Sequence, residues 1–170
     1  MTVKELKDLY QDLEKEKSNL LEEVESRLKI DIYNLEKECA EHPELYYNVA
    51  VLNSSISFGL SNAELLVKEV KAEIATDIRQ NPKSYGIEKL TESQIIEQTD
   101  ITNEAQEARE IRLDFQRLKN EADGLLNAFE HRRSMINNET QLYLSKLSEP
   151  RQEAQVQQIV RKKLRKIKKD

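Results

Sequence analysis

The sequence predicts an all-α protein: an elongated antiparallel helical hairpin of coiled-coil character, with an extra N-terminal helix and an oligomeric state. Three observations carry that prediction. Turn-forming residues are scarce, with 3 Gly and 3 Pro in 170 residues, so the chain has few places to reverse. Charged residues make up 35% and aromatic residues 5%, the balance of long helices rather than of a bulky globular core. Apolar residues recur at intervals of three and four through most of the chain, which is the period of one helix face.

The first segment, residues 1–42, is an acidic helix on this reading. Val3, Leu6, Tyr10, Leu13, Leu20, Val24, Leu28, Ile32 and Leu35 keep the rhythm, and the net charge of the segment is −5. His42-Pro43 is expected to end it, because a residue before Pro is disfavoured in the helical region and Pro suits the first turn of a new helix. A second helix then runs from Pro43 to about Asn81, roughly 58 Å at about 1.5 Å per residue. Its stripe, Leu45, Val49, Leu52, Ile56, Gly59, Ala63, Leu66 and Val70, has heptad spacing. Leu60, Val67, Ile74 and Ile78 widen it, so that this helix touches more than one neighbour.

IRQNPKSYGIEKLTESQI, residues 78–95, is the predicted bend. Pro82 cannot continue a helix, Gly86 tolerates positive φ, and Thr91-Glu92-Ser93-Gln94 fits a capping box. A short helix from Thr91 and a fresh start near Thr102 follow, the latter running to Ser148-Glu149-Pro150. Residues 43–149 thus form the hairpin as the core domain. Centring the bend at residue 90 places Arg132 beside residue 48, within a turn. Residues 150–170 form a basic tail, in which Ala154, Val156, Ile159, Val160, Leu164 and Ile167 predict a separate short amphipathic helix and RKKLRKIKKD (161–170) carries +6.

Catalytic signatures are missing. There is no glycine-rich phosphate loop and no paired Cys, and the single Cys39 cannot form an internal disulfide. Glu41-His42 and Glu130-His131 could meet across the hairpin around a metal, but solvated residues are the expectation; no enzyme activity, metal or cofactor is predicted. The N-terminus lacks a secretory apolar stretch and no window is apolar enough to span a bilayer, which predicts a cytoplasmic protein that is not a membrane protein.

Binding chemistry is better represented. Tyr46-Tyr47 lies opposite Glu130-His131-Arg132-Arg133 in the expected register, and aromatic faces beside guanidinium groups suit single-stranded nucleic acid. Arg79, Lys83, Tyr85 and Lys89 make a smaller cluster of the same kind at the bend. The plainer alternative is that one tyrosine is core and the basic residues balance nearby Glu. Arg109, Arg112, Arg117 and Lys119 alternate with acidic residues, the pattern of a salt-bridged helix surface. The tail residues Arg161, Lys162, Lys163, Arg165 and Lys166 suit nucleic acid, an anionic membrane surface or an acidic protein patch, with too little apolar content to anchor in a membrane.

PELYYNVAVLNSSISFGLSNAELLVKEVKAEIATDIRQNPKSYGIEKLTESQI, followed by DFQRLKNEADGLLNAFEHRRSMINNETQLYL, resembles phage recombination mediators of the UvsY type. The likeness covers about residues 43–145, and its most specific elements are NPKSYGIEKLTE and FEHRRSMI. What it implies is a non-enzymatic homo-oligomer that binds single-stranded DNA and helps a recombinase displace single-strand-binding protein. The basic positions in the matching segments are Lys68, Lys71, Arg79, Lys83, Arg132 and Arg133. The formal net charge of −5 departs from a strongly basic DNA binder. Two other expectations stand beside this one: a coiled-coil structural or assembly scaffold, and an adaptor for one specific protein.

Overall fold

The computed structural model describes the backbone of residues 1–25, 27–87 and 91–167, and side-chain surroundings for 1–22, 27–87 and 91–147. Four helices follow one another: α1 (Val3–Glu25), α2 (Leu35–Gln80), α3 (Glu92–Ile101) and α4 (Asn103–Ile167), with a 3-10 turn at Pro82–Tyr85 between α2 and α3. The described residues contain no strand.

The start of α1 is set by a reciprocal cap. The Thr2 backbone N–H donates to Glu5 Oε2 at 2.8 Å, and the Glu5 N–H donates to Thr2 Oγ1 at 3.3 Å. The Thr2 backbone N–H first, and the Thr2 hydroxyl second, hold the Glu5 carboxyl below its usual range. Leu6 and Leu13 are buried one heptad apart, with Val3, Leu9, Tyr10 and Leu20 packed around them. Lys7 pairs with Glu107 at 2.6 Å, Arg117 donates to the Tyr10 hydroxyl at 2.9 Å, and Lys17 pairs with Glu121. Both sets of partners ascend together, so α1 lies parallel to α4.

The break expected at His42-Pro43 falls elsewhere. α1 stops at Glu25 and α2 starts at Leu35, passing through Pro43. Asp31 accounts for the earlier interruption: its carboxylate accepts from the Tyr33 N–H at 3.0 Å and its carbonyl from the Asn34 N–H at 3.0 Å, a local turn that competes with helix. Pro43 removes one backbone bond from α2, a cost of about 3 kcal/mol in a helix interior. Burial of His42, Leu45 and Val49 on the same helix opposes that cost. The predicted boundary between residues 42 and 43 therefore lies inside an element.

The bend follows the sequence closely. Asn81 ends α2, Gly86 adopts φ 71° and its N–H donates to the Lys83 carbonyl, and the Thr91 side chain accepts from the Gln94 N–H at 3.4 Å to open α3. Ile78, Ile87 and Ile95 seal the interior of the turn. Thr102 is extended, with ψ 146°, and separates α3 from α4.

α2 and α4 pack antiparallel. Tyr46 reaches Glu130 at 3.3 Å and Asn53 reaches Asp123 at 3.1 Å, a register that sets Arg132 about one helical turn from the residue 48 expected. Every position of the predicted α2 stripe from Leu45 to Leu66 is buried, against Ala108, Ile111, Phe115, Leu118, Ala122, Leu125 and Phe129 of α4. Helix α4 continues past Pro150 to Ile167, where a stop and a separate short helix were expected. One Pro deletes a single backbone bond, and the Glu, Gln, Arg and Ala residues around it propagate a helix well.

Candidate nucleic-acid interface

The hairpin brings the residues expected to grip a strand to one end of the molecule and then separates them by face. Successive residues on a helix point about 100° apart, so neither Tyr46-Tyr47 nor Arg132-Arg133 can present both members in one direction. Tyr46 is half-buried and its hydroxyl donates to Glu130 Oε1 at 3.3 Å. Tyr47 is 67% exposed on the far side of α2. Arg133 is exposed and lines an open cleft of about 590 Å³ with His42, Pro43, Tyr46, Glu130, Ser134 and Asn137.

Arg132 does not join that cleft surface. It is buried at 4% exposure, and its guanidinium donates to the Glu38 carboxylate and, at 3.2 Å, to Nδ1 of His42. A donating guanidinium requires His42 Nδ1 to accept, which leaves the imidazole neutral with its proton on Nε2. Burial first, and the Arg132 charge second, push the His42 pKa below its ordinary value. Among the described residues its Nε2 and the Arg132 Nε have no hydrogen-bond partner. His42 also stacks on Phe129 with ring centroids 6.0 Å apart. A cation beside Nδ1 makes this a poor metal position, and among the described residues no three potential metal ligands gather. His131 lines a different cleft, with Leu28, Ile32 and Met135.

The second expected cluster is largely spent on internal pairing. Arg79 grips Glu92 at 3.0 and 3.3 Å, which ties α2 to α3. The Tyr85 hydroxyl donates to Asp77 at 2.5 Å, a bond that lowers the Asp77 pKa and raises that of Tyr85. Lys71 pairs with Asp100 at 2.6 Å, joined by Arg109 at 3.1 Å, and the Lys71 bond is the main reason that the Asp100 carboxyl titrates low. Lys68 and Lys83 are exposed and make no ion pair among the described residues. Lys89 lies outside the described residues, as do the side chains of Arg161, Lys162, Lys163, Arg165 and Lys166.

The expected salt-bridged surface on α4 is present in three of its four members: Arg109 with Asp100, Arg117 with Glu14 and Glu121, and Lys119 with Asp123. Glu38, which the sequence reading left aside, and His42, which was expected to be solvated at a helix break but is buried within α2, organise this end of the hairpin. Their signal was available: they are four apart, and His42, Leu45, Val49 and Leu52 continue one core period. Cys39, between them, is exposed. No described helix is long and apolar enough to cross a membrane. In comparisons with known proteins, no family model, no curated protein and no solved structure matches this chain.

Proposed function

We propose that this chain is a non-catalytic accessory protein of DNA recombination, which holds single-stranded DNA and assists a recombinase onto strands coated by single-strand-binding protein. The observation that carries the reading is the solvent-open cleft that Tyr46 and Arg133 both line, between α2 and α4 of an all-helical body. A ring on which a base can stack beside a cation that can meet a phosphate is the minimum for sequence-tolerant strand binding. Lys83, exposed elsewhere, would extend the path of the strand. Arg132 drops out of the contact set, and Arg79 and Lys71 would have to leave carboxylate partners to enter it.

Each subunit on this reading binds weakly, since the chain is net acidic. Assembly into an elongated, coiled-coil-like oligomer offsets that weakness, because linked modest sites act at high effective concentration. A gel shift with a labelled oligonucleotide over a salt series tests this directly. Affinity should fall with salt at a slope of about 0.7 per phosphate contact, and Arg133→Glu should weaken binding about tenfold or more. An affinity unmoved by Arg133→Glu removes the cleft from the account.

A second reading, an assembly scaffold without a nucleic-acid role, is favoured by the same internal pairing of Arg132, Arg79 and Lys71. Light scattering with and without oligonucleotide separates the two. A discrete oligomer indifferent to DNA supports the scaffold.

A further inference from the structure

Helix α2 carries two heptad seams, and only one of them is covered. Shifting the buried series by two residues, about 200° around the helix, gives Tyr47, Val51, Ser54, Phe58, Ser61, Leu65, Lys68 and Ala72. All eight are exposed, with Tyr47 at 67%, Val51 at 43%, Phe58 at 63% and Leu65 at 53%. Residues 46–63 contain no charged side chain, in a chain where 35% of residues are charged. A helix face left to water normally carries charge, so this one has the composition of a contact surface.

Ser61 of the seam and the polar residues that flank it are already satisfied. The Ser55, Ser57 and Ser61 hydroxyls donate to the carbonyls of Val51, Asn53 and Ser57 at 3.2, 2.8 and 3.0 Å, and the Asn62 amide donates to the Phe58 carbonyl at 2.8 Å. Covering the face therefore strands none of these donors, which lowers the usual penalty for burying a Ser-containing surface.

We infer that this seam is a homodimer interface, in which α2 packs antiparallel on α2 of a second copy about a two-fold axis at the level of Ile56. Charge selects both the partner and the direction. Glu44 and Lys68 bound the seam, both are exposed, and neither has an ion pair among the described residues. A parallel dimer would set Lys68 against Lys68 and Glu44 against Glu44. The antiparallel register sets Glu44 against Lys68 of the second copy at both ends. The same register sets large over small at Phe58 over Ser54 and Val51 over Ser61, and apolar over apolar at Tyr47 over Leu65, each contact made twice by symmetry. The paired stretch, Glu44 to Lys68, is about 36 Å long. The inference stands apart from strand binding, since it needs neither Arg133 nor the cleft.

Sedimentation equilibrium of the full chain without nucleic acid is the test, with circular dichroism to verify helicity. The native chain should form a dimer that dissociates on dilution. Phe58→Glu, or Leu65→Glu in its place, should raise the dissociation constant at least about a hundredfold with helicity unchanged. Lys68→Glu should weaken the dimer about tenfold, and adding Glu44→Lys to it should restore association. A native chain that stays monomeric, a self-association indifferent to both seam variants, or a charge exchange that fails to restore it would each overturn the proposal. Loss of DNA binding by Arg133→Glu in a chain that still dimerises bears on the proposed function alone.

Discussion

Arg132 and Arg133 are neighbours in sequence and opposites in environment. Burying a guanidinium is expensive unless its charge is met, and Glu38, itself mostly buried, meets it while His42 takes a second donor. Removing one member of such a pair leaves the other charge buried and uncompensated. Arg132→Ala should therefore lower unfolding free energy by about 3 kcal/mol in a urea titration, whereas Arg133→Ala should change it by no more than about 0.5 kcal/mol. A loss below about 1 kcal/mol at residue 132 would mean that Glu38 finds solvent once released. The distinction was legible in the sequence: Phe129, Arg132 and Ile136 continue the core period of α4, and all three are buried. Grouping the two arginines by adjacency rather than by helix face concealed it, and the same slip joined Tyr46 to Tyr47.

At the scale of the element, α2 and α4 owe their close approach at mid-length to Gly59. A Cβ placed there would stand 2.2 Å from Cε1 of the fully buried Phe115 ring. Ala is worth about 1 kcal/mol over Gly in helix propensity, but crowding a packed aromatic costs about 1–3 kcal/mol. Gly59→Ala should accordingly destabilise by about 1 kcal/mol, read as a shift of the denaturation midpoint; a gain in stability would show that Phe115 has room to move. The buried stripe, the bend and the Thr91 cap were all readable, because each rests on local chemistry repeated in a pattern. The passage of α2 through Pro43 was not, since the local bias against helix there is outweighed by apolar contacts with residues some eighty positions away. The exposed seam was equally present in the sequence. The buried stripe by itself satisfies the heptad pattern expected of a hairpin helix, and so masked the second series.

For the whole molecule the decisive question is whether α1 is an arm or part of the core. Leu6 and Leu13 share one buried cluster with Leu52, Ile56, Ala63 and Leu66 of α2 and with Ile111, Phe115 and Leu118 of α4. The Tyr10 ring meets Phe115 edge-on at 5.6 Å. A helix that contributes to the same interior as the hairpin cannot leave without exposing the hairpin's own apolar surface, so the two should unfold together. Leu6 is fully buried, and truncating such a side chain costs about 2–5 kcal/mol. Leu6→Ala should thus lower the stability of the entire chain by about 2–3 kcal/mol within a single transition, and hydrogen exchange should quicken around Phe115 and Ile56 as well as along α1. Were protection lost only in α1, with the amides of α2 and α4 unchanged, α1 would be an appendage whose contacts contribute little, and the interior of this protein would belong to the α2–α4 pair alone.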